Sequence, residues 1–316
     1  MTLNILLTGG TGFLGGALAK TLLNQGVYNI KQISRRELKD HLCVLSLNGD
    51  TDFNLPNGYE VVVHCAARVH VMVDKSSNPL EEFREINTYG TLNLAQQAAS
   101  AGVKRFIFIS SIKVNGESTE FDCPFKSDDT FIPTDPYGLS KYEAEVGLRE
   151  IANKTGMEVV VIRPTLVYGP GVKANFTSLL NLVFKGFPMP FGCINDNKRS
   201  LVSVNNLIDL IVTCIDHPKA ANQTFLVSDD NDISTASIVK HMSKALEQSS
   251  LLLPVPLWCY YLVGKLTGKR DVVERLLGSL QVDISHTKDT LGWVPPQTLV
   301  EGFKETAEAF LLNKSK

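Results

Sequence analysis

Tyr137 and Lys141 stand four residues apart in Tyr137-Gly138-Leu139-Ser140-Lys141. On a helix that spacing puts a phenol and an ammonium on one face. A cation beside a phenol favours the phenolate and lowers its pKa from the ordinary value of about 10. The expected chemistry is proton transfer near neutral pH. Upstream, Ser110 and Ser111 close the apolar run at 106–109, and Ser111 is expected to hydrogen-bond a substrate hydroxyl or carbonyl beside Tyr137. A Tyr-x-x-x-Lys alone is an ordinary exposed helix pair, and two serines after a strand are ordinary turn chemistry. Their meaning depends on what precedes them.

What precedes them is a phosphate cradle. The apolar run at 3–7 leads into Thr8-Gly9-Gly10-Thr11-Gly12-Phe13-Leu14-Gly15, followed by a helical apolar pattern at Ala17, Leu18, Leu22 and Leu23. Strand, glycine turn and helix in this order form a dinucleotide-binding fingerprint: glycines permit the tight turn, the close approach of a pyrophosphate and close helix packing. The helix N-terminus supplies free N–H groups and a positive dipole end. The second strand, at 29–33, ends in Ser34-Arg35-Arg36, where an acid would bind the ribose hydroxyls of NAD. Guanidinium groups at Arg35 and Arg36 suit a 2′-phosphate, so NADP is favoured over NAD, with Glu37 and Asp40 left as ribose ligands if the cofactor is NAD.

These residues need a scaffold. Strands are expected at 3–7, 30–33, 43–47, 61–64, 106–109 and 158–162, with helices at 12–24, 79–101 and 137–155. The alternation predicts a doubly wound parallel α/β sheet of Rossmann type. The link between 47 and 61 is too short and too broken for a crossover helix. Beyond Tyr168, Gly169-Pro170-Gly171 breaks the pattern; a helix at 176–184 and strands at 201–204 and 224–227 follow. The expected organisation is a dinucleotide-binding domain at 1–170 plus about 200–230, with a smaller interleaved C-terminal lobe at 171–199 and 231–316. A cleft between lobes suits a small-molecule site.

Composition narrows the class. With 31 Lys and Arg against 33 Asp and Glu the net charge is −2, which gives no electrostatic case for nucleic acid. Six scattered cysteines, without Cys-x-x-Cys or histidines at ligand spacing, predict reduced thiols in the cytoplasm and no metal site. No signal-peptide pattern opens the chain. The most apolar segment, 251–263, is interrupted by Pro254 and Pro256 and is too short to span a bilayer, so no transmembrane segment is expected. It reads as a buried helix or a lid over the substrate ahead of an element that touches a membrane surface.

The chain resembles the extended short-chain dehydrogenase/reductase family, and within it the UDP-sugar 4-epimerases and related 4-ketoreductases. The resemblance covers essentially the whole length. It rests on Thr8 to Gly15, His64-Cys65-Ala66-Ala67, Asn87-Thr88-Tyr89-Gly90-Thr91, Ser110 to Gly116, Tyr137 to Lys141 and Arg163 to Pro170. It implies Tyr137 as acid/base, Lys141 as its electrostatic partner and ribose ligand, and Ser111 as the ligand of the substrate hydroxyl. Gly9, Gly12, Phe13, Leu14, Gly15, Ala66, Ala67 and Pro164 would line the cofactor, with Asn87 supporting the central helix and pocket. In the second lobe the resemblance implies that Asn175 meets the uridine diphosphate, Phe191 borders uracil, and Arg199 and Arg275 grip the diphosphate, as guanidinium chemistry allows. Relatives often carry a ribose-binding acid four residues after the second arginine; here Ser279 stands there. Arg68 and His70 are either sugar contacts or a satisfied loop pair.

One departure narrows the chemistry. The family's 4,6-dehydratases follow the strand-end hydroxyl residue with Asp-Glu, whereas Ser111 precedes Ile112-Lys113, so dehydration is not expected. Two enzymatic readings remain: a UDP-sugar 4-epimerase working through a 4-keto sugar, and an NADPH-dependent 4-reductase of a UDP-linked 4-keto-6-deoxy-N-acetylhexosamine. The third reading is a dinucleotide-binding sensor without catalysis. A homodimer is the expected assembly, and polysaccharide-precursor supply the expected setting.

Overall fold

The computed structural model describes residues 2–34, 41–43, 47–53, 55–69, 78–120, 122–249 and 251–315. Strand β1 (Leu3–Thr8) runs into α1 (Phe13–Gln25), β2 (Tyr28–Ser34), a short β3 (His41–Cys43) and β4 (Val61–His64). Helix α2 (Pro79–Arg84) passes through a π-helical turn (Glu85–Tyr89) into α3 (Gly90–Ser100). Then come β5 (Arg105–Ile109), α4 (Pro136–Thr155) and β6 (Glu158–Pro164). The rest comprises β7 (Leu166–Tyr168), α5 (Ala174–Phe184), β8 (Leu201–Ser203), α6 (Val204–Asp216), β9 (Thr224–Val227) and α7 (Thr235–Ala245). Helices α8 (Leu257–Thr267), α9 (Arg270–Leu277), α10 (Ser285–Leu291) and α11 (Leu299–Lys314) complete it.

Seven strands form one parallel sheet in the order β3-β2-β1-β4-β5-β6-β9, so the order reverses between β1 and β4. Ligands of such sheets lie outside the strands' carboxyl ends at that reversal. Both faces are covered, which is why the strands are continuous apolar runs. Ile5 and Leu7 of β1 pack with Leu18 and Leu22 of α1 and Leu207 and Ile211 of α6. Leu6, turned to the other face, joins Phe106, Phe108, Leu94 of α3 and Leu148 of α4. A third cluster joins α5, α7 and α11 around Tyr168, Phe176, Met242 and Phe303.

The fold class is the expected one, with three local differences. The third strand is His41–Cys43 rather than 43–47; Val44 to Ser46 lie outside the described residues. The helix expected over 79–101 is not uniformly α, because one π turn is inserted at Glu85–Tyr89. The 251–263 segment is not buried: Leu251, Leu253, Leu257, Trp258, Tyr261, Leu262 and Val263 are all exposed. Among the described residues no helix is long and apolar enough to cross a membrane.

Candidate active site

The glycine turn closes through contacts that admit no side chain. Gly9 has φ +72°, and a Cβ there would lie 2.7 Å from the backbone nitrogen of Ala66. A Cβ on Gly15 would strike the carbonyl of Gly9, to which Gly12 N–H donates at 2.8 Å. The loops after β1 and β4 therefore touch backbone to backbone at the reversal of strand order. No side chain caps α1 at Gly12 and no acid stands in its first turn, so an anion there meets only the positive helix end. This cradle fits a dinucleotide pyrophosphate. Phe13 and Leu14 open α1, pack on the first core cluster, and leave their backbone to the turn.

At the end of β5, the Ser111 side chain caps the following turn by accepting from Lys113 N at 3.3 Å. Its hydroxyl also favours the ionised form of the Tyr137 phenol. Asp135 accepts from Gly138 N at 2.8 Å and Pro136 occupies the first turn, so α4 begins at the position that carries Tyr137 inward. One turn on, Lys141 is 1% exposed; its Nζ donates to the Ile109 carbonyl at 2.9 Å and lies 4.4 Å from the centre of the Phe108 ring.

The electrostatics correct the expectation of a phenol made acidic by the lysine. Burial pushes Tyr137 up to about 12, against the Ser111 hydroxyl, which favours the phenolate, and with the Asp135 charge adding to the rise. Burial likewise pushes Lys141 down to about 7, opposed by Cys65 and Glu145. Lys141 is fully buried and Tyr137 half-buried, and burial is the largest cause of both shifts. With protein groups alone, Tyr137 holds its proton at neutral pH.

Asn87 sits inside the π turn, is fully buried, and makes three hydrogen bonds. It accepts from Arg68 N at 2.8 Å and donates to Arg68 O at 3.0 Å and to Ser140 Oγ at 3.1 Å. Ser140 in turn donates to the Tyr137 carbonyl at 2.8 Å. One side chain thus joins the loop after β4, carrying Ala66 and Ala67, to the tyrosine helix. The Arg68 guanidinium pairs with Glu82 at 3.1 Å and stands 5.7 Å from the Phe83 ring centre, and Phe83 meets Tyr137 edge-on at 5.8 Å. Below, buried His64 spans Thr8 Oγ1 (2.7 Å) and Thr91 Oγ1 (3.0 Å), and burial followed by the Lys141 charge lowers it to about 3. His70 and Arg35 lie outside the described residues.

Sequence reasoning missed the polar network under this site. Glu145, one turn beyond Lys141, is fully buried; it accepts from Ser110 Oγ (2.6 Å), Arg163 Nε (2.9 Å) and Arg163 Nη2 (2.6 Å). Arg163 Nη1 donates to Asn115 Oδ1 at 2.9 Å, which anchors the loop after Ser111. The one available signal was Tyr137, Lys141 and Glu145 recurring every fourth residue on one face.

The second group of expected residues lies elsewhere. Pro164 ends β6 opposite Val227 of β9. Phe191 packs on the third core cluster, and Asn175 lies in the first turn of α5. Arg199 is turned toward the end of α9: its Nη1 donates to the carbonyls of Arg275 (2.7 Å) and Gly278 (3.1 Å). Arg275 itself is exposed, and Ser279 Oγ accepts from Lys198 N at 3.0 Å. So the two arginines meet through a backbone carbonyl rather than side by side. Among the described residues no cluster of His, Cys, Asp or Glu forms a metal set.

Fold and site together define an enzyme of the NAD-dependent Rossmann class. Residues 5–228 match the model of the NAD dependent epimerase/dehydratase family, and the chain belongs to that family. A UDP-glucose 4-epimerase of Vibrio cholerae is 61% identical over 316 residues, covering 98% of this chain and 96% of the relative. Two solved structures share the fold. A UDP-glucose 4-epimerase of Thermotoga maritima with UDP-glucose has a TM-score of 0.76, 22% identity and coverage of 99% and 100% of the two chains. A UDP-glucuronic acid 4-epimerase of Bacillus cereus in complex with NAD has a TM-score of 0.77, 19% identity and coverage of 98% and 99%.

Proposed function

We propose that this protein interconverts C4 epimers of a UDP-linked hexose or N-acetylhexosamine through a 4-keto intermediate. The observation that carries the proposal is the placement of Ser111 at the end of β5, of Tyr137 in the first turn of α4 and of buried Lys141 one turn on, held to the Ile109 carbonyl, at the strand ends beside the glycine cradle. The 61% identical Vibrio cholerae UDP-glucose 4-epimerase supports the same chemistry.

Gly9, Gly12 and Gly15, the first turn of α1 and the Ala66–Ala67 loop would hold the dinucleotide, with Pro164 as a further wall. When bound there, the dinucleotide supplies a hydride acceptor at C4 and, when oxidised, a cationic ring whose field favours the Tyr137 phenolate. Tyr137 takes the proton of the C4 hydroxyl as hydride leaves that carbon and returns it when hydride comes back on the other face. Ser111 lowers the cost of the Tyr137 phenolate and would hydrogen-bond the sugar oxygen. Lys141, held by the Ile109 carbonyl, would supply positive charge to that oxygen when protonated and a donor to the ribose. Asn175, Phe191, Arg199 and Arg275 would hold the uridine diphosphate, with Arg68 near the sugar. Arg199 reaches the diphosphate only if it releases the α9 carbonyls or uses its other nitrogens.

A second reading, an NADPH-dependent 4-ketoreductase, is favoured by the end of β2. It carries Gln32 and Ser34 with no carboxylate, and the Gln32 side chain lies over Gly10. Nothing on that strand repels a 2′-phosphate, and Arg35 and Arg36 follow it. The NADP preference and a homodimeric assembly belong to this proposal. Incubation with UDP-glucose or UDP-N-acetylglucosamine and catalytic dinucleotide should yield the C4 epimer without consuming reductant. Stoichiometric release of NADP⁺ from a UDP-4-keto sugar identifies the reductase instead, and failure of both sinks the enzymatic assignment. Tyr137→Phe should abolish turnover with dinucleotide affinity nearly unchanged, and Arg35→Ala should weaken NADPH far more than NADH.

A further inference from the structure

Helix α8 is built inside out. Its residues Trp258, Tyr261, Leu262, Lys265 and Leu266 recur at i, i+3, i+4, i+7 and i+8, a spacing that normally marks the stripe facing a core. Here the stripe faces solvent: Trp258 is 65% exposed, Tyr261 56% and Leu266 77%. The inward side is small. Gly264 is the buried residue of the helix, and a Cβ there would lie 2.8 Å from Val273 Cγ2 of α9. Packing thus requires glycine where α8 meets α9, and apart from half-buried Tyr260 it leaves the bulky residues of α8 outside. Leu251 and Leu253, on the segment that pairs with Met189, extend the exposed apolar surface. Apolar surface of this extent marks a binding face rather than chance.

The charge beside it selects the partner. Residues 251–270 contain Lys265, Lys269 and Arg270 and no acid, although the whole chain carries a net charge of −2. A hollow of about 400 Å³ between α8 and α9 is lined by Leu262, Lys265, Arg270 and, as its acid, Glu274. Asp271 stands in the first turn of α9. Exposed Trp and Tyr, aliphatic side chains and flanking cations without neighbouring acids on the helix are the composition of an interfacial element. At 11 residues α8 is far too short to span a bilayer.

We infer that α8 docks the protein on an anionic lipid bilayer, with Trp258, Tyr261, Leu262 and Leu266 in the interface and Lys265, Lys269 and Arg270 against the headgroups. The inference stands independently of the reaction proposed above. A single short apolar helix flanked by three cations gives weak, reversible, salt-sensitive attachment, so the protein would exchange between water and membrane.

The chain has two tryptophans, and Trp293 is only 5% exposed, so a shift in emission on vesicle binding reports Trp258. The full-length protein should co-float with phosphatidylglycerol-containing vesicles, with a blue shift absent from Trp258→Phe. Pure phosphatidylcholine vesicles should bind much less. Leu266→Glu, and separately Lys265→Glu combined with Lys269→Glu, should reduce vesicle binding by about ten-fold or more. These exposed substitutions should leave the melting temperature and dinucleotide affinity unchanged, which shows that the variants fold. Absence of flotation by the wild-type protein overturns the inference. So does conversion of a wild-type dimer to a monomer by Leu266→Glu, which would assign the face to a second copy of the chain.

Discussion

Lys141 and Ile109 are joined by a hydrogen bond of 2.9 Å from the lysine Nζ to the last carbonyl of β5, and that bond fixes where the one buried cation of α4 points. A lysine needs a reason to be this deeply buried, and burial pushes it down to about 7. Below about 7 it is charged both folded and unfolded. Between about 7 and its ordinary 10.5 the unfolded chain holds a proton that the folded chain has released, so stability rises with pH across that window. Lys141→Met should flatten that rise in urea midpoints and lower kcat by about 10²–10⁴-fold. Retained activity would remove Lys141 from the proposed mechanism, and an unchanged slope would remove the titration.

Gly9 and Gly26 separate two effects of a glycine. Both have left-handed φ, +72° and +68°, but a Cβ at Gly26 has nothing within 4 Å while one at Gly9 meets Ala66 N. Gly26→Ala should lower stability by about 1 kcal/mol and leave NADH binding intact. Gly9→Ala should lower stability further and weaken NADH at least ten-fold by fluorescence titration, because the two loops must separate. Equal effects of both substitutions on NADH binding would show that the contact with Ala66 does not shape the cradle.

The sheet was legible because its strands are buried on both faces, and β1, β4, β5, β6 and β9 read as short apolar runs in the chain itself. Ser111, Tyr137 and Lys141 were legible because local spacing and strand-end position express their arrangement. The π turn was not, since a single inserted residue leaves the apolar pattern of 79–101 nearly unchanged, yet it bears the buried Asn87 that bonds Arg68. The direction of the Tyr137 and Lys141 shifts was not legible either. The spacing shows that the two groups are neighbours, but only the packed structure shows how far both are removed from water. The outward face of α8 was legible only as the lesser alternative to a buried helix or lid, for the same reason. An apolar stripe shows that a helix has a face, and the tertiary packing decides what that face meets.

Glu145 and Arg163, eighteen residues apart, form a bidentate pair with almost no solvent contact and tie Ser110 and Asn115 into it. Removing one member of a buried pair strands the other charge, at a cost of about 3–5 kcal/mol. Glu145→Gln should show that loss in urea denaturation, and its kcat should fall because Ser110 and the loop after Ser111 lose their anchor. Glu145→Leu combined with Arg163→Met should be less destabilised than either single change, since no unpaired charge remains. Additive losses in this cycle would show that the two side chains act independently.

His64 makes a prediction at acid pH that is separate from catalysis. It is fully buried between two threonine hydroxyls, with Phe108 stacked at 5.9 Å, and burial and the Lys141 charge lower it from 6.5 to about 3. Above 6.5 the ring is neutral in both folded and unfolded chains. Between 6.5 and about 3 the unfolded chain binds a proton that the folded one refuses, so stability is lost as pH falls through that window. His64→Gln keeps hydrogen-bonding capacity toward Thr8 and Thr91 and cannot take up that proton. Its urea midpoint should therefore decline less steeply than that of the native protein between pH 6.5 and 4, even where the variant is less stable throughout. Parallel curves would show that His64 does not sense acid, and that carboxylates held below their usual range, such as Asp283 with its hydrogen bonds from Ser285, set the acid limb instead.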